Sequence, residues 1–175
     1  SRNQKIDFMY QDSLFSAPQP QKINFCGGQL ALYPHFIERE QAYQYLEYLS
    51  KALAWEQSSI TIAGQRHKIP RLNCWMGDPN SDYSYSGTKM IRNNWDSTCL
   101  ELKNDIESHC QQSFNSLLAN LYRDGQDSVA WHSDDEIELG HNPFIAVISL
   151  GQSRRFDLRS KQDHTHKISI ELPHG

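Results

Sequence analysis

Apolar residues recur along this chain with two different periods, and the change of period divides it. Over residues 39–54, Tyr43, Leu46, Leu49 and Leu53 fall at helical spacing, which predicts an amphipathic helix. The period then shortens. Ile60-Thr61-Ile62 alternates, Ala63-Gly64-Gln65 can turn, and the chain returns through His67 to Ile69, a hairpin closed by Pro70. Residues 71–87 mix aromatics with turn formers: Trp75, Gly77-Asp78-Pro79-Asn80, then Tyr83-Ser84-Tyr85-Ser86-Gly87. Thr98-x-x-Glu101 has the form of a capping box and opens a second helix through about Gln111, with Leu102, Ile106 and Cys110 on one stripe.

From Phe114 onward the pattern is that of strands. Ser116 to Tyr122 is one, Asp124-Gly125 a turn, and Val129 to His132 the next. Phe144 to Leu150 is nearly all apolar, as a sheet-buried strand would be, and Arg155–Arg159 and Lys167–Leu172 alternate. Helices first and strands afterwards predict an α+β chain. Serial short antiparallel strands fit a double-stranded β-helix, or jelly roll, with the N-terminal helices packed on one sheet. Residues 1–30, punctuated by Pro18, Pro20, Gly27 and Gly28, read as an extended arm, and 31–175 as one domain.

Composition narrows the class. The 175 residues are 38% hydrophobic and 22% charged, the balance of a globular protein with a sizeable core. No run approaches the ~20 apolar residues of a membrane span, and no apolar leader is visible; a cytoplasmic protein is expected, or a nuclear one in a eukaryote, acting as a monomer. Cys26, Cys74, Cys99 and Cys110 show no CxxC spacing, so reduced, partly buried thiols are expected ahead of disulfides or zinc. The net charge of −4 gives no bulk attraction to nucleic acid. The basic residues are nonetheless grouped: Arg154, Arg155, Arg159, Lys161, His164, His166 and Lys167 in one segment, Arg66, His67, Lys68 and Arg71 in another. Such groups can steer a polyanion, although a solvated strand face is the commoner reason for them.

Candidate chemistry centres on Val129-Ala130-Trp131-His132-Ser133-Asp134-Asp135-Glu136. On a strand, His132 and Asp134 point to one face, so an imidazole nitrogen and a carboxylate oxygen converge. That is two-thirds of the two-His-one-carboxylate set that holds Fe(II) and leaves positions open. Alone, His-x-Asp is common by chance, and a surface histidine beside a solvated aspartate is its usual meaning. Asn120 and Tyr122, two apart on one strand, face alike; ordinary sheet lining is the alternative to any ligand role.

Taken together, several stretches resemble the AlkB-like Fe(II)/2-oxoglutarate dioxygenases, closest to their nucleic-acid repair branch. They are Asn120-Leu121-Tyr122-Arg123-Asp124-Gly125, His132-Ser133-Asp134-Asp135-Glu136, and Pro143 through Ser149-Leu150-Gly151 with Arg155-Phe156. Pro70-Arg71 and Tyr83-x-Tyr85-Ser86-Gly87 add to it, so the likeness runs from about Ile60 to Gly175. The resemblance implies Fe(II) held by His132, Asp134 and a second histidine, with 2-oxoglutarate as cosubstrate bonded by Asn120 and Tyr122. It implies that O2 and 2-oxoglutarate become succinate and carbon dioxide while an N-methyl carbon is hydroxylated, and that the hemiaminal then releases formaldehyde. Substrates would be alkylated bases of the 1-methyladenine and 3-methylcytosine type in DNA or RNA. Tyr83, Tyr85 and Ser86 would cover a flipped base, stacking being worth ~1–3 kcal/mol per base; packing on the core is the other role open to one of these tyrosines. Asp135 and Glu136 would contact the exocyclic amine, against the plainer reading of a solvated acidic turn. Arg71 would pair with Asp135 and order that turn, unless it is a surface arginine. The basic Arg154–Lys167 segment would hold phosphates.

Two departures shape the expectation. The family places its second metal histidine and a 2-oxoglutarate arginine beyond the region that Leu172-Pro173-His174-Gly175 resembles, so His174 is expected to be a turn residue and the chain a fragment lacking its last strands. Relatives that repair duplexes carry a bulky residue at a hairpin tip, whereas Ile62-Ala63-Gly64 offers only Ile62. That predicts a preference for single strands. Two alternatives stand beside base demethylation: an RNA or protein demethylase of the same superfamily, and a non-enzymatic nucleic-acid binder on a jelly roll.

Overall fold

The computed structural model describes residues 19–85, 87–135 and 139–175. The chain divides into two units, one comprising residues up to Leu46 with Ile148–Gly175, the other Glu47–Val147. Helix α1, Arg39–Ala52, contains the boundary. Its position is the one its apolar spacing predicts. The observed mixture of helices and small antiparallel sheets is α+β in kind.

In the Glu47–Val147 unit the organising element is a three-stranded sheet. Strand β5 (Leu72–Gly77) lies antiparallel to β9 (Ser116–Leu121) and parallel to β8 (Arg92–Asn93). The β5–β9 register pairs Cys74 with Ala119 and Met76 with Leu117. Side chains alternate along a strand, so these four share a face. That face packs with Leu53 and Cys99, and Leu49, Trp55 and Trp95 close around it. The reverse face pairs Trp75 with Leu118, packed on Tyr83 and Met90, and then Asn73 with Asn120.

Helix α2 (Ser97–Cys110) supplies Cys99 and Leu102 to the core. Its cap is Asp96, not Thr98: the Asp96 carboxylate accepts from the Thr98 and Cys99 backbone N–H groups at 2.9 and 3.2 Å. The helix therefore begins before the capping box read from sequence, because a carboxylate at the N-cap satisfies the same orphan donors and also favours the positive helix end. Gln111, in the left-handed region at φ 55°, ends it.

Strands β3 (Ser59–Ile62) and β4 (Gln65–Lys68) form the expected hairpin. Ala63 and Gly64 both have positive φ, 49° and 78°, the two-residue turn whose twist suits a hairpin. The short β6 (Ser84–Tyr85) and β7 (Thr88–Lys89) make another.

Two expected strands are absent. Val129–His132 and Phe144–Leu150 take no strand conformation. Strand backbone needs a neighbour for its N–H and C=O groups, and among the described residues no strand pairs with either segment. Phe144, Ile145 and Val147 are 56%, 51% and 62% exposed in consequence.

In the other unit, the stretch expected to be an extended arm contains a hairpin, β1 (Gln21–Phe25) with β2 (Gly28–Leu32), turned at Cys26-Gly27. Strands β10 (Arg154–Arg159) and β11 (Lys167–Leu172) pair antiparallel, as their alternation predicts. Beyond β11, Gly175 receives a hydrogen bond from Ile37 N and gives one to Ser149 O, both 2.9 Å.

Candidate active site

The reverse face of β5–β9 leads directly to the His-x-Asp segment. After β9 the chain turns at Asp124, whose carboxylate accepts from Gln126 N at 2.8 Å and Asp127 N at 3.3 Å. Asp127 is buried and accepts three bonds from Arg123: backbone N at 2.9 Å, Nε at 2.7 Å and Nη2 at 3.0 Å. A buried carboxylate is stable only with such partners. The turn is thus cross-linked, and it delivers Ser128 beside Pro70, where Ser128 N donates to Pro70 O at 2.8 Å.

His132 and Asp134 converge, with His132 Nε2 3.4 Å from Asp134 Oδ1. The convergence does not come from a strand. His132 Nδ1 lies 2.9 Å from Ala130 O, and a carbonyl can only accept, so Nδ1 carries the proton and the neutral ring presents its Nε2 lone pair toward the carboxylate. Two lone-pair donors facing each other at the surface, one neutral and one anionic, suit a divalent cation between them. Without one, a proton fills the role: the hydrogen bond to Asp134 raises the imidazole above its ordinary value, and partial burial and the Arg71 guanidinium act against it. Among the described residues no group of three His, Cys, Asp or Glu side chains gathers to hold a metal. Among the described residues the pair thus offers two donor atoms and no third.

Arg71 is 4% exposed, so it is not a surface arginine of the basic group Arg66-His67-Lys68. Its Nε donates to Asn120 Oδ1 at 2.9 Å and its Nη1 to Ser128 O at 3.4 Å. Asn120 itself is exposed at the end of β9, and half-buried Tyr122 follows just past it. The structure thus assembles Arg71, Asn120 and Ser128 through side-chain contacts, with His132 and Asp134 farther along the same segment.

Of the expected base-covering residues, Tyr83 takes the core-packing role left open for one of the tyrosines. Tyr83 is 5% exposed, stacked on Trp75 at 4.6 Å between centroids, an internal packing position and not an open platform. Trp75 is itself fixed, its Nε1 donating to Ser81 O at 2.9 Å. Tyr85 lies on β6 opposite Thr88. Asp135 is exposed beside Asp134. Ser86 and Glu136 lie outside the described residues. His174 accepts from Gly151 N at 2.8 Å through Nδ1, and its ring lies 4.0 Å from that of Tyr43, which anchors its side chain just past β11. Sequence reasoning missed Asp127 and the contact of the Pro70 carbonyl with Ser128. The signal for Asp127 was its spacing from Arg123 across an Asp-Gly turn; the backbone role of Pro70 left none.

This chain belongs to the 2OG-Fe(II) oxygenase superfamily, whose family profile matches residues 29–175. Among curated proteins it is similar to the bovine alpha-ketoglutarate-dependent dioxygenase alkB homolog 3, Bos taurus, at 36% identity over 94% of this chain and 64% of that protein. The Homo sapiens protein of the same name is 37% identical over 91% of this chain and 62% of its own length. The Arabidopsis thaliana DNA oxidative demethylase ALKBH2 is 33% identical over 85% and 49%. The chain thus spans under two thirds of the length of these relatives. Among the described residues no helix is long and apolar enough to cross a membrane.

Proposed function

We propose that this chain acts in oxidative demethylation of N-alkylated bases in nucleic acid, on the jelly roll that its superfamily implies. The observation that carries this is the His132–Asp134 pair, lone pair facing carboxylate at 3.4 Å, on a segment tied through Arg71 to Asn120. His132 Nε2 and Asp134 Oδ1 would hold Fe(II), with a third donor from outside the described residues. Fe(II) held there would supply, with 2-oxoglutarate and O2 as co-reactants, the oxidation that hydroxylates an N-methyl carbon. The chain's own part is to keep His132 in the metal-binding tautomer through Ala130 O and to present Asn120 to the cosubstrate. The names of the similar proteins, dioxygenase and DNA oxidative demethylase, support an alkylated base as substrate.

Within that reading, single strands are the favoured substrate. The β3–β4 tip presents Ile62, 56% exposed, followed by the small Ala63 and Gly64, too little bulk to hold open the gap left by a flipped base.

Incubating the full-length protein with Fe(II), 2-oxoglutarate and an oligonucleotide bearing 1-methyladenine tests the activity. Loss of the methyl mass is expected, abolished by His132→Ala. Turnover that persists in Asp134→Ala would remove the iron-centre reading. A duplex preferred over the single strand by more than about tenfold would overturn the strand preference.

A further inference from the structure

We infer that Arg71 is a positioning residue for the cosubstrate: it holds the Asn120 amide in the one orientation that can bind a carboxylate. This rests on the reading above that Asn120 faces 2-oxoglutarate.

A side-chain amide has a donor end and an acceptor end of nearly the same shape, and an exposed asparagine samples both by rotating. Here rotation is blocked by chemistry. A guanidinium only donates, and Arg71 Nε lies 2.9 Å from Asn120 Oδ1. Turning the amide over would set two donors against each other. The Nδ2 group is thereby aimed away from Arg71, and among the described residues it has no protein partner. It offers two N–H donors, and a carboxylate offers only acceptors. The ligand chemistry this fits is a carboxylate, which on the reading above is that of 2-oxoglutarate.

Arg71 is fixed in turn. It is 4% exposed, and a buried guanidinium must be hydrogen-bonded. The Pro70-Arg71 pair grips Ser128 from both sides, Pro70 O accepting from Ser128 N at 2.8 Å and Arg71 Nη1 donating to Ser128 O at 3.4 Å. Ser128 begins the segment that carries His132. The Ser128 carbonyl thus fixes the guanidinium whose Nε in turn holds the amide. Lysine cannot substitute, because a single ammonium lacks the planar fork that reaches both partners.

The test measures 2-oxoglutarate binding to the full-length protein loaded with Mn(II), by calorimetry, beside the KM values for 2-oxoglutarate and for the methylated oligonucleotide. Arg71→Lys should weaken 2-oxoglutarate by about tenfold or more, the usual range for a residue that orients a ligand-binding group. The oligonucleotide KM should stay within about twofold. Asn120→Ala should weaken 2-oxoglutarate similarly, and the double variant should be no worse than Asn120→Ala, since the two act in series. Asn120→Asp guards against misfolding: it keeps the acceptor for Arg71 and replaces the donors with an oxygen that repels a carboxylate. Equal 2-oxoglutarate binding by Asn120→Asp and the parent would overturn the proposal. So would an additive double variant, or an Arg71→Lys effect confined to the oligonucleotide. A parent that binds 2-oxoglutarate but demethylates no base sinks the demethylase reading and leaves this one standing; a parent that binds none sinks this one.

Discussion

The two faces of the β5–β9 ladder are made by the same backbone and the same register, yet they serve opposite ends. One presents Cys74, Met76, Leu117 and Ala119 to a dry cluster. The other begins with the Trp75–Leu118 pair and passes within two residues to Asn73, Asn120 and the Arg71 guanidinium. Period-2 alternation makes this possible, because adjacent residues never compete for one environment. The apolar face fixes the strands, and the fixed strands hold polar groups that could not position themselves. Stability should therefore depend on the first face and chemistry on the second.

The largest effect comes from breaking the first face. Met76 is 1% exposed at the centre of the apolar cluster. Met76→Ala should cost about 2–5 kcal/mol, read as a lowered denaturant midpoint, and Met76→Asp should abolish the folded state. A variant as stable as the parent would mean that this cluster is not what holds the ladder. Breaking the His132 segment, to which the second face leads, should do the reverse. His132→Ala removes an exposed side chain, so thermal stability should change by no more than about 0.5 kcal/mol, while on the proposed function turnover of a methylated oligonucleotide by the full-length protein falls below detection. A large loss of stability would show the segment to be structural.

A middle case sharpens the contrast. Asp127 is buried but polar, accepting three bonds from Arg123 in the turn between β9 and the His132 segment. Asp127→Asn keeps the shape and removes the charge. About 1–3 kcal/mol should be lost, with weakened Fe(II) binding as the root of the His132 segment loosens. Unchanged iron binding in a destabilised variant would separate the turn from the site.

How much of this was legible in the sequence follows from which interactions are local. Helix α1, the β3–β4 hairpin, β9 and the β10–β11 pair were readable because period and turn residues lie within each segment. Phe144–Leu150 was misread because its apolar character signals a strand only if another strand lies alongside, and sequence period carries no partner. The Asp96 cap was displaced by two residues from the expected Thr98, since both types can cap. At the site, the His132–Asp134 convergence was legible from spacing, although a carbonyl contact and not a strand produces it. Tyr83 was not, because an aromatic beside turn residues reads alike whether it stacks on Trp75 or on a base. Arg71 was readable as a site residue, but its contact with Asn120 was not, because Asn120 lies far along the chain and meets it only through the β5–β9 register.

The smallest effect expected concerns the thiols of the apolar face, and it carries a pH sign. Burial pushes the Cys99 thiol up to about 12, with Asp96 and Cys74 adding to it, and burial likewise raises Cys74. In the unfolded chain both return to the ordinary thiol value of about 8.5. Below that value neither state ionises these thiols, and their contribution to stability is flat. Above it the unfolded chain loses protons that the folded chain keeps, so stability falls as pH rises toward the folded value. Cys99→Ala should therefore flatten the alkaline limb of a stability-against-pH curve relative to the parent, whatever its effect at neutral pH. At pH 8 a thiol reagent should label exposed Cys26 readily in the native protein and reach Cys74 and Cys99 only on unfolding. Native labelling of Cys99 as fast as Cys26 would mean that the apolar face opens to water, and the division between the two faces would fail at its better-packed side.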